Sequence, residues 1–251
     1  MLPLAIGSII FVCTFGGALL GMFLHNALPE HHLSAESKDA VKVGVGLIGL
    51  MAALVLGLLV TSAKNSFDTK SHELTDMAAK MVLIDRLLAH YGPETKDIRR
   101  RLRESVTRTL DALWPQDGSG PPDLEPAASG SEALYDAIQD LSPKDEAQRT
   151  IQSQALSIGV DIGHTRWLLF EQSGSSISTP FLVVLVFWLT VIFISFGLFA
   201  PRNATVVATF LVCALSISGA IFLILELDRP FAGLIQLSSA PLRVALAHLG
   251  R

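Results

Sequence analysis

Charged side chains are missing from four stretches of the chain, residues 2–24, 43–63, 181–200 and 204–225, and crowd into the block between the second and the third. Each stretch approaches the roughly 20 residues with which an α-helix crosses a ~30 Å hydrocarbon layer. A segment in lipid must satisfy its own backbone hydrogen bonds, so the four runs predict four membrane helices. No alternating run of useful length suggests a strand. The expected fold is therefore all-α: a polytopic membrane protein with four transmembrane helices and a helical cytoplasmic domain inserted between spans two and three. In outline, residues 1–63 hold spans one and two with an outer loop at 25–42. Residues 64–179 form the cytoplasmic domain, with a Gly/Pro/Ser-rich flexible loop at 115–130. Residues 180–227 hold spans three and four, and residues 228–251 form a tail.

The second span does not stop at the membrane. From Ser34, an N-cap candidate after Pro29, no proline or loop cluster interrupts the chain until Gly92-Pro93. One helix over that stretch is on the order of 85 Å long. Beyond the apolar part, Phe67, Leu74, Met81 and Leu88 recur every seven residues with Met77, Ile84 and Tyr91 between them, while Lys70 interrupts the pattern. Such a seam fits a coiled coil between copies or packing on the chain's own helices. A second cytoplasmic helix is expected over 94–114, a third over 131–141, and a fourth from Ser142-Pro143 to about Gln172. The tail places Leu242, Ala245, Leu246 and Leu249 on one side, as a short helix lying on the inner leaflet would.

Charge decides orientation. Of the Lys and Arg residues, only Lys38, Lys42 and Arg202 fall on the side of the outer loop, so both termini and the middle block are expected in the cytoplasm. No basic residue precedes the first run and it is too long for a secretory signal, so it is expected to be retained as a span. Half the residues are apolar, the net charge is -4 and the mean hydropathy is +0.48. That balance gives no footprint for nucleic acid. Cys13 and Cys213 both lie within apolar runs and read as small hydrophobic side chains.

Candidate chemistry is sparse. Residues 44–49 match G-x-G-x-x-G, but inside a membrane helix no preceding strand or free helix N-terminus can meet a pyrophosphate. No P-loop, G-x-S-x-G or H-E-x-x-H is present, so no enzyme and no cofactor is expected. Gly17 and Gly21 in span one, and Gly49, Ala53 and Gly57 in span two, form small-residue stripes that let helices approach closely in lipid. The alternative for span two is a pore face running from Gly49, Ala53 and Gly57 to Thr61 and Asn65. In the outer loop, Glu30, His31 and His32 can bind a metal or sense pH, or cap the long helix. At the end of span four, Glu226 and Asp228 can ring a cation path or pair with basic residues such as Arg229. The cluster Arg99, Arg100, Arg101 and Arg103 can attract anions or anionic lipid, or form a solvated face in which Asp97 and Glu104 pair with Arg101 and Arg108. Asp161 and His164, three apart, can shuttle protons or sense pH if buried, or form a surface pair of no consequence.

Five separated segments in order, 28–37, 54–59, 66–68, 85–94 and 225–233, resemble a bacterial family of membrane proteins with a "bestrophin-like domain". Among them are Leu28-Pro29-Glu30-His31-His32-Leu33, Asp85-Arg86-Leu87-Leu88-Ala89-His90-Tyr91-Gly92-Pro93 and Leu225-Glu226-Leu227-Asp228-Arg229-Pro230-Phe231. Bestrophins proper are pentameric anion channels whose second span lines the pore, so the resemblance implies ion conduction, self-association and a bacterial inner membrane. The chain departs from that pattern where bestrophins carry bulky and aromatic neck residues, offering Gly44, Gly46, Gly49, Ala53 and Gly57. Anion selectivity and five-fold symmetry are therefore not carried over. The expectation is a homo-oligomeric inner-membrane channel with lipid, inorganic ions and copies of itself as partners. Its alternatives are a non-conducting scaffold or signalling protein, and a metal or pH sensor using His31 and His32.

Overall fold

A computed structural model describes residues 3–29, 34–115, 128–171, 177–231 and 233–250, with the side chains of residues 128–131 not described. It is helical, without strands among the described residues. The helices are α1 (Pro3–Ala27), α2 (Ala35–Tyr91), α3 (Lys96–Leu113), α4 (Ala128–Gln139), α5 (Glu146–Glu171), α6 (Thr179–Phe199), α7 (Ala204–Leu227) and α8 (Ala240–His248). By length and composition α1, α2, α6 and α7 can each cross a membrane. Ser34 caps α2, its hydroxyl accepting from the Ser37 N–H at 3.2 Å. At the other end Gly92, with φ 140°, and Pro93 stop it.

The chain divides into two compact units. The first comprises α1, the N-terminal part of α2, α6 and α7. Its tightest contact is the crossing of α1 and α6. A Cβ on Gly21 would lie 2.1 Å from the Ile194 carbonyl oxygen, and one on Gly197 would lie 2.0 Å from that of Ala18. Only hydrogen fits at either position, so the two backbones touch. The crossing ends in polar contacts: His25 Nδ1 lies 2.8 Å from the Leu198 carbonyl oxygen, and Arg202 donates to that of Met22. Beside it, Ala52, Leu59 and Ala63 of α2 are buried with Leu185, Leu189 and Ile192 of α6 and Ile221 and Ile224 of α7.

The second unit holds the remainder of α2, then α3, α4, α5 and the tail. Here the seven-residue seam finds its partner within the chain. Leu74, Met77, Met81, Ile84 and Leu88 share one core with Ile98, Leu102 and Val106 of α3, Ile138 of α4, and Ala155, Ile162 and Leu169 of α5. Leu242, Ala245 and Leu249 of the tail are buried in the same core. The face of α8 that sequence analysis assigned to the lipid surface is thus covered by protein. Trp114 fastens the segment before it, its indole N–H donating to the Leu237 carbonyl at 2.9 Å and its ring meeting Phe231 edge-on.

Two helix starts differ from expectation. α4 begins three residues early, at Ala128. α5 begins at Glu146 instead of after Ser142-Pro143, because Asp145 is the cap, its carboxylate accepting from the Gln148 N–H at 2.7 Å.

Candidate functional site

The glycines of the membrane helices fall into two kinds. The stripe of α1 is occupied: a Cβ on Gly17 would meet Ile194 and Thr190 at 3.3 Å, and Gly21 has no room at all. Those of α2 are open, since a Cβ on Gly44, Gly46, Gly49 or Gly57 would meet nothing within 4 Å. Close packing inside the chain therefore accounts for the first stripe and not for the second.

An α-helix turns about 100° per residue, so the stripe of α2 can be placed around its axis. With the buried line of Val45, Ala52 and Leu59 set at zero, Gly49 falls at about 60°, Ala53 at about 100°, Gly57 at about 140°, Thr61 at about 180° and Asn65 at about 220°. The stripe winds from the flank of the helix to the side opposite its packed face. Burial follows the same course: Gly49 is half-buried, whereas Ala53, Gly57, Thr61 and Asn65 are exposed. The Thr61 hydroxyl donates to the Gly57 carbonyl at 2.9 Å, which satisfies it against its own helix.

Sequence reasoning missed what precedes these residues on the outward side. Leu47, Leu50 and Leu54 are 62%, 71% and 64% exposed, with Val43 above them. Their angular positions, within about 40° of Thr61, were available from helical spacing alone. The outward line of α2 thus runs from bulky apolar side chains to Thr61 and Asn65, with Gly57 on its flank. The glycines lie beside that line and the leucines on it.

The other candidates separate. Glu226 and Asp228 are 5% and 3% exposed, and both are engaged within the chain. The four arginines do not form one solvated cluster. Arg99 turns inward and grips the fully buried Asp85 with two parallel bonds, Nε to Oδ1 and Nη2 to Oδ2, each 2.8 Å. This pairing holds the guanidinium above its ordinary pKa. The Gly250 N–H adds a third donor to Asp85 at 3.2 Å, and Arg103 reaches the neighbouring Leu249 carbonyl at 3.3 Å. Arg100 pairs with Asp97 at 2.9 Å and lies 4.0 Å from Glu104, so both acids expected on Arg101 and Arg108 converge on Arg100 instead. Arg101 lines an open pocket with Asp97, Asp136 and Asp140. Asp161 bridges to Lys80 at 3.4 Å.

Glu30, His31 and His32 lie outside the described residues, and among the described residues no three His, Cys, Asp or Glu side chains gather in a metal-binding arrangement. What remains as a site is the outward face of one membrane helix in an all-helical membrane protein. The chain belongs to the bestrophin-like domain family, which it matches over residues 12–242. Its fold is that of a bacterial bestrophin homolog from Klebsiella pneumoniae, solved as a crystal structure with a point mutation. The two share a TM-score of 0.67 at 12% identity, with 96% of each chain covered. Comparison with curated proteins finds no match.

Proposed function

We propose that the protein is a homo-oligomeric ion channel of the bacterial inner membrane, in which α2 of each copy contributes its outward face to a common path. The observation that carries this reading is the asymmetry of α2. One side is buried against α6 and α7, while the other presents Leu47, Leu50, Leu54, Thr61 and Asn65 outside the core formed by the described residues. In an assembly around an axis, the leucines supply an apolar constriction that conducts only when wetted, and Thr61 and Asn65 supply a wider polar stretch. The small side chains of Ala53 and Gly57, on the flank of that line, allow neighbouring copies of α2 to approach. Family membership supports the same function.

The test is current through purified protein in planar bilayers, with Leu54→Ser as the informative variant. A hydroxyl in the constriction lowers the cost of wetting it. Conductance or open probability is expected to rise in Leu54→Ser and to stay near wild type in Leu4→Ser, an exposed leucine of α1. Reversal potentials in asymmetric salt would then identify the ion. Silence of both wild type and Leu54→Ser over a range of voltage, pH and divalent ions would refute conduction. It would favour the scaffold reading, which the open glycines of α2 also fit.

A further inference from the structure

A cavity of about 570 Å³ opens between α2, α6 and α7 in the first unit. Its walls are almost wholly apolar: Val45, Gly46 and Gly49 of α2, Ile192, Phe196 and Phe199 of α6, and Phe210 of α7. At one end stand Lys38 and Lys42, from the first turns of α2. Lys42 lies 3.5 Å from Asp39, whereas no ion pair engages Lys38 among the described residues. The N-termini of α2 and α7 also meet the cavity at its ends, since Lys38 and Val206 both line it, and their dipoles favour negative charge nearby.

The dimensions are those of one leaflet. From Lys38 to Gly49 along α2 is about 16 Å at 1.5 Å per residue, and half of a ~30 Å hydrocarbon layer is about 15 Å. A cavity with a cationic mouth at the height of the headgroups and an apolar body reaching the bilayer midplane matches an anionic amphiphile set parallel to the helices. The open glycines explain the body: Gly46 and Gly49 leave space that a larger residue would occupy.

We propose that this cavity holds an acyl chain of an anionic phospholipid from the surrounding bilayer, with the lipid phosphate seated against Lys38 and Lys42. The inference rests on the membrane location of α2, α6 and α7 and not on conduction, so currents and lipid retention are scored separately. The full-length protein is reconstituted in vesicles with equal phosphatidylglycerol and phosphatidylcholine, extracted in mild detergent, and its retained lipid is measured by native mass spectrometry. Wild type is expected to retain phosphatidylglycerol in preference to phosphatidylcholine. Lys38→Ala/Lys42→Ala should cut that preference by about fivefold, the weight of roughly one unshielded lysine at a membrane surface. Gly46→Phe, which fills the cavity and leaves both lysines, should release both lipids. Val12→Phe, beside the separate groove between α1 and α7, should change neither.

Equal retention of the two lipids by wild type, or unchanged retention in both cavity variants, overturns the proposal. So does a second copy in the cavity. Phe196→Cys in a Cys13→Ala/Cys213→Ala background would then crosslink between copies under oxidation, with no protection by added phosphatidylglycerol. Protection of that cysteine from a thiol reagent by phosphatidylglycerol, and not by phosphatidylcholine, is the supporting result.

Discussion

Arg99 and Arg101 are two residues apart on one helix, yet the structure gives them opposite weights. The Asp85 side chain is 1% exposed and Arg99 is 17% exposed. Among the described residues, Arg99→Ala takes two of the three hydrogen-bond donors from Asp85 and leaves the Gly250 N–H. A buried carboxylate stripped of its counter-ion costs about 3–5 kcal/mol. For a chain of this size that is a fall of roughly 6–20 °C in melting temperature. Arg99→Lys keeps the charge but not the two-pronged geometry, and should recover only part of the loss. Asp85→Leu/Arg99→Met removes both charges together and should lie closer to wild type than Arg99→Ala, because no ion is left stranded. Arg101→Ala, on an exposed side chain, should stay within about 0.5 kcal/mol. The assay is thermal unfolding of the detergent-solubilised protein, followed by circular dichroism at fixed detergent and salt. Equal melting temperatures for Arg99→Ala and Arg101→Ala would refute the inward pairing and restore a solvated arginine cluster.

Further outcomes follow from contacts elsewhere. Gly21→Ala and Gly197→Ala should each block the α1–α6 crossing, giving poor yield of folded protein on size-exclusion chromatography. Gly57→Ala should elute as wild type, since its Cβ meets nothing within 4 Å; normal elution of the first two would sink the close crossing. Glu94 is hydrogen-bonded to Lys144, which holds the carboxyl below and the ammonium above their ordinary pKa values. The pair's small contribution is complete above the usual carboxylate range and below the usual lysine range. It fades as pH falls through the lowered Glu94 value or rises through the raised Lys144 value. The melting temperatures of Lys144→Ala and wild type should therefore differ slightly near neutral pH and converge in acid; a gap that widens in acid would contradict the pairing.

The all-helical fold was legible because its signals are local: uncharged runs, a cap at Ser34, and a Gly-Pro stop after Tyr91. Partner choice was not. The spacing of Leu74, Met81 and Leu88 is the same whether they meet another copy or α3 and α5, and only the tertiary structure buries them in the chain's own core. Arg99 looked like its arginine neighbours because the residue that claims it, Asp85, lies on a different helix. The stripe Gly49, Ala53, Gly57, Thr61, Asn65 was read as one face, yet a four-residue spacing drifts about 40° per step around the helix. Of the five, Gly49 borders the lipid-sized cavity and Thr61 points away from the packed side. The same arithmetic puts Leu47, Leu50 and Leu54 on the outward side with Thr61.

The crossing of Gly21 with Gly197 also bears on how the protein is made. The hydrogen bond from His25 to Leu198 spans 173 residues of sequence. During synthesis, α1 is made well before α6 and waits for the stretch between them to be translated before its partner helix exists. Until then its glycine face has nothing to touch in its own chain, and a ribosome adding about 5–20 residues per second leaves that state open for roughly ten seconds or more. Nascent chains on one message are neighbours for that interval, so an α1 that pairs with the α6 of an adjacent chain exchanges helices between copies. The same contact that locks a finished protomer is therefore also the one at which an exchange of helices between copies would start.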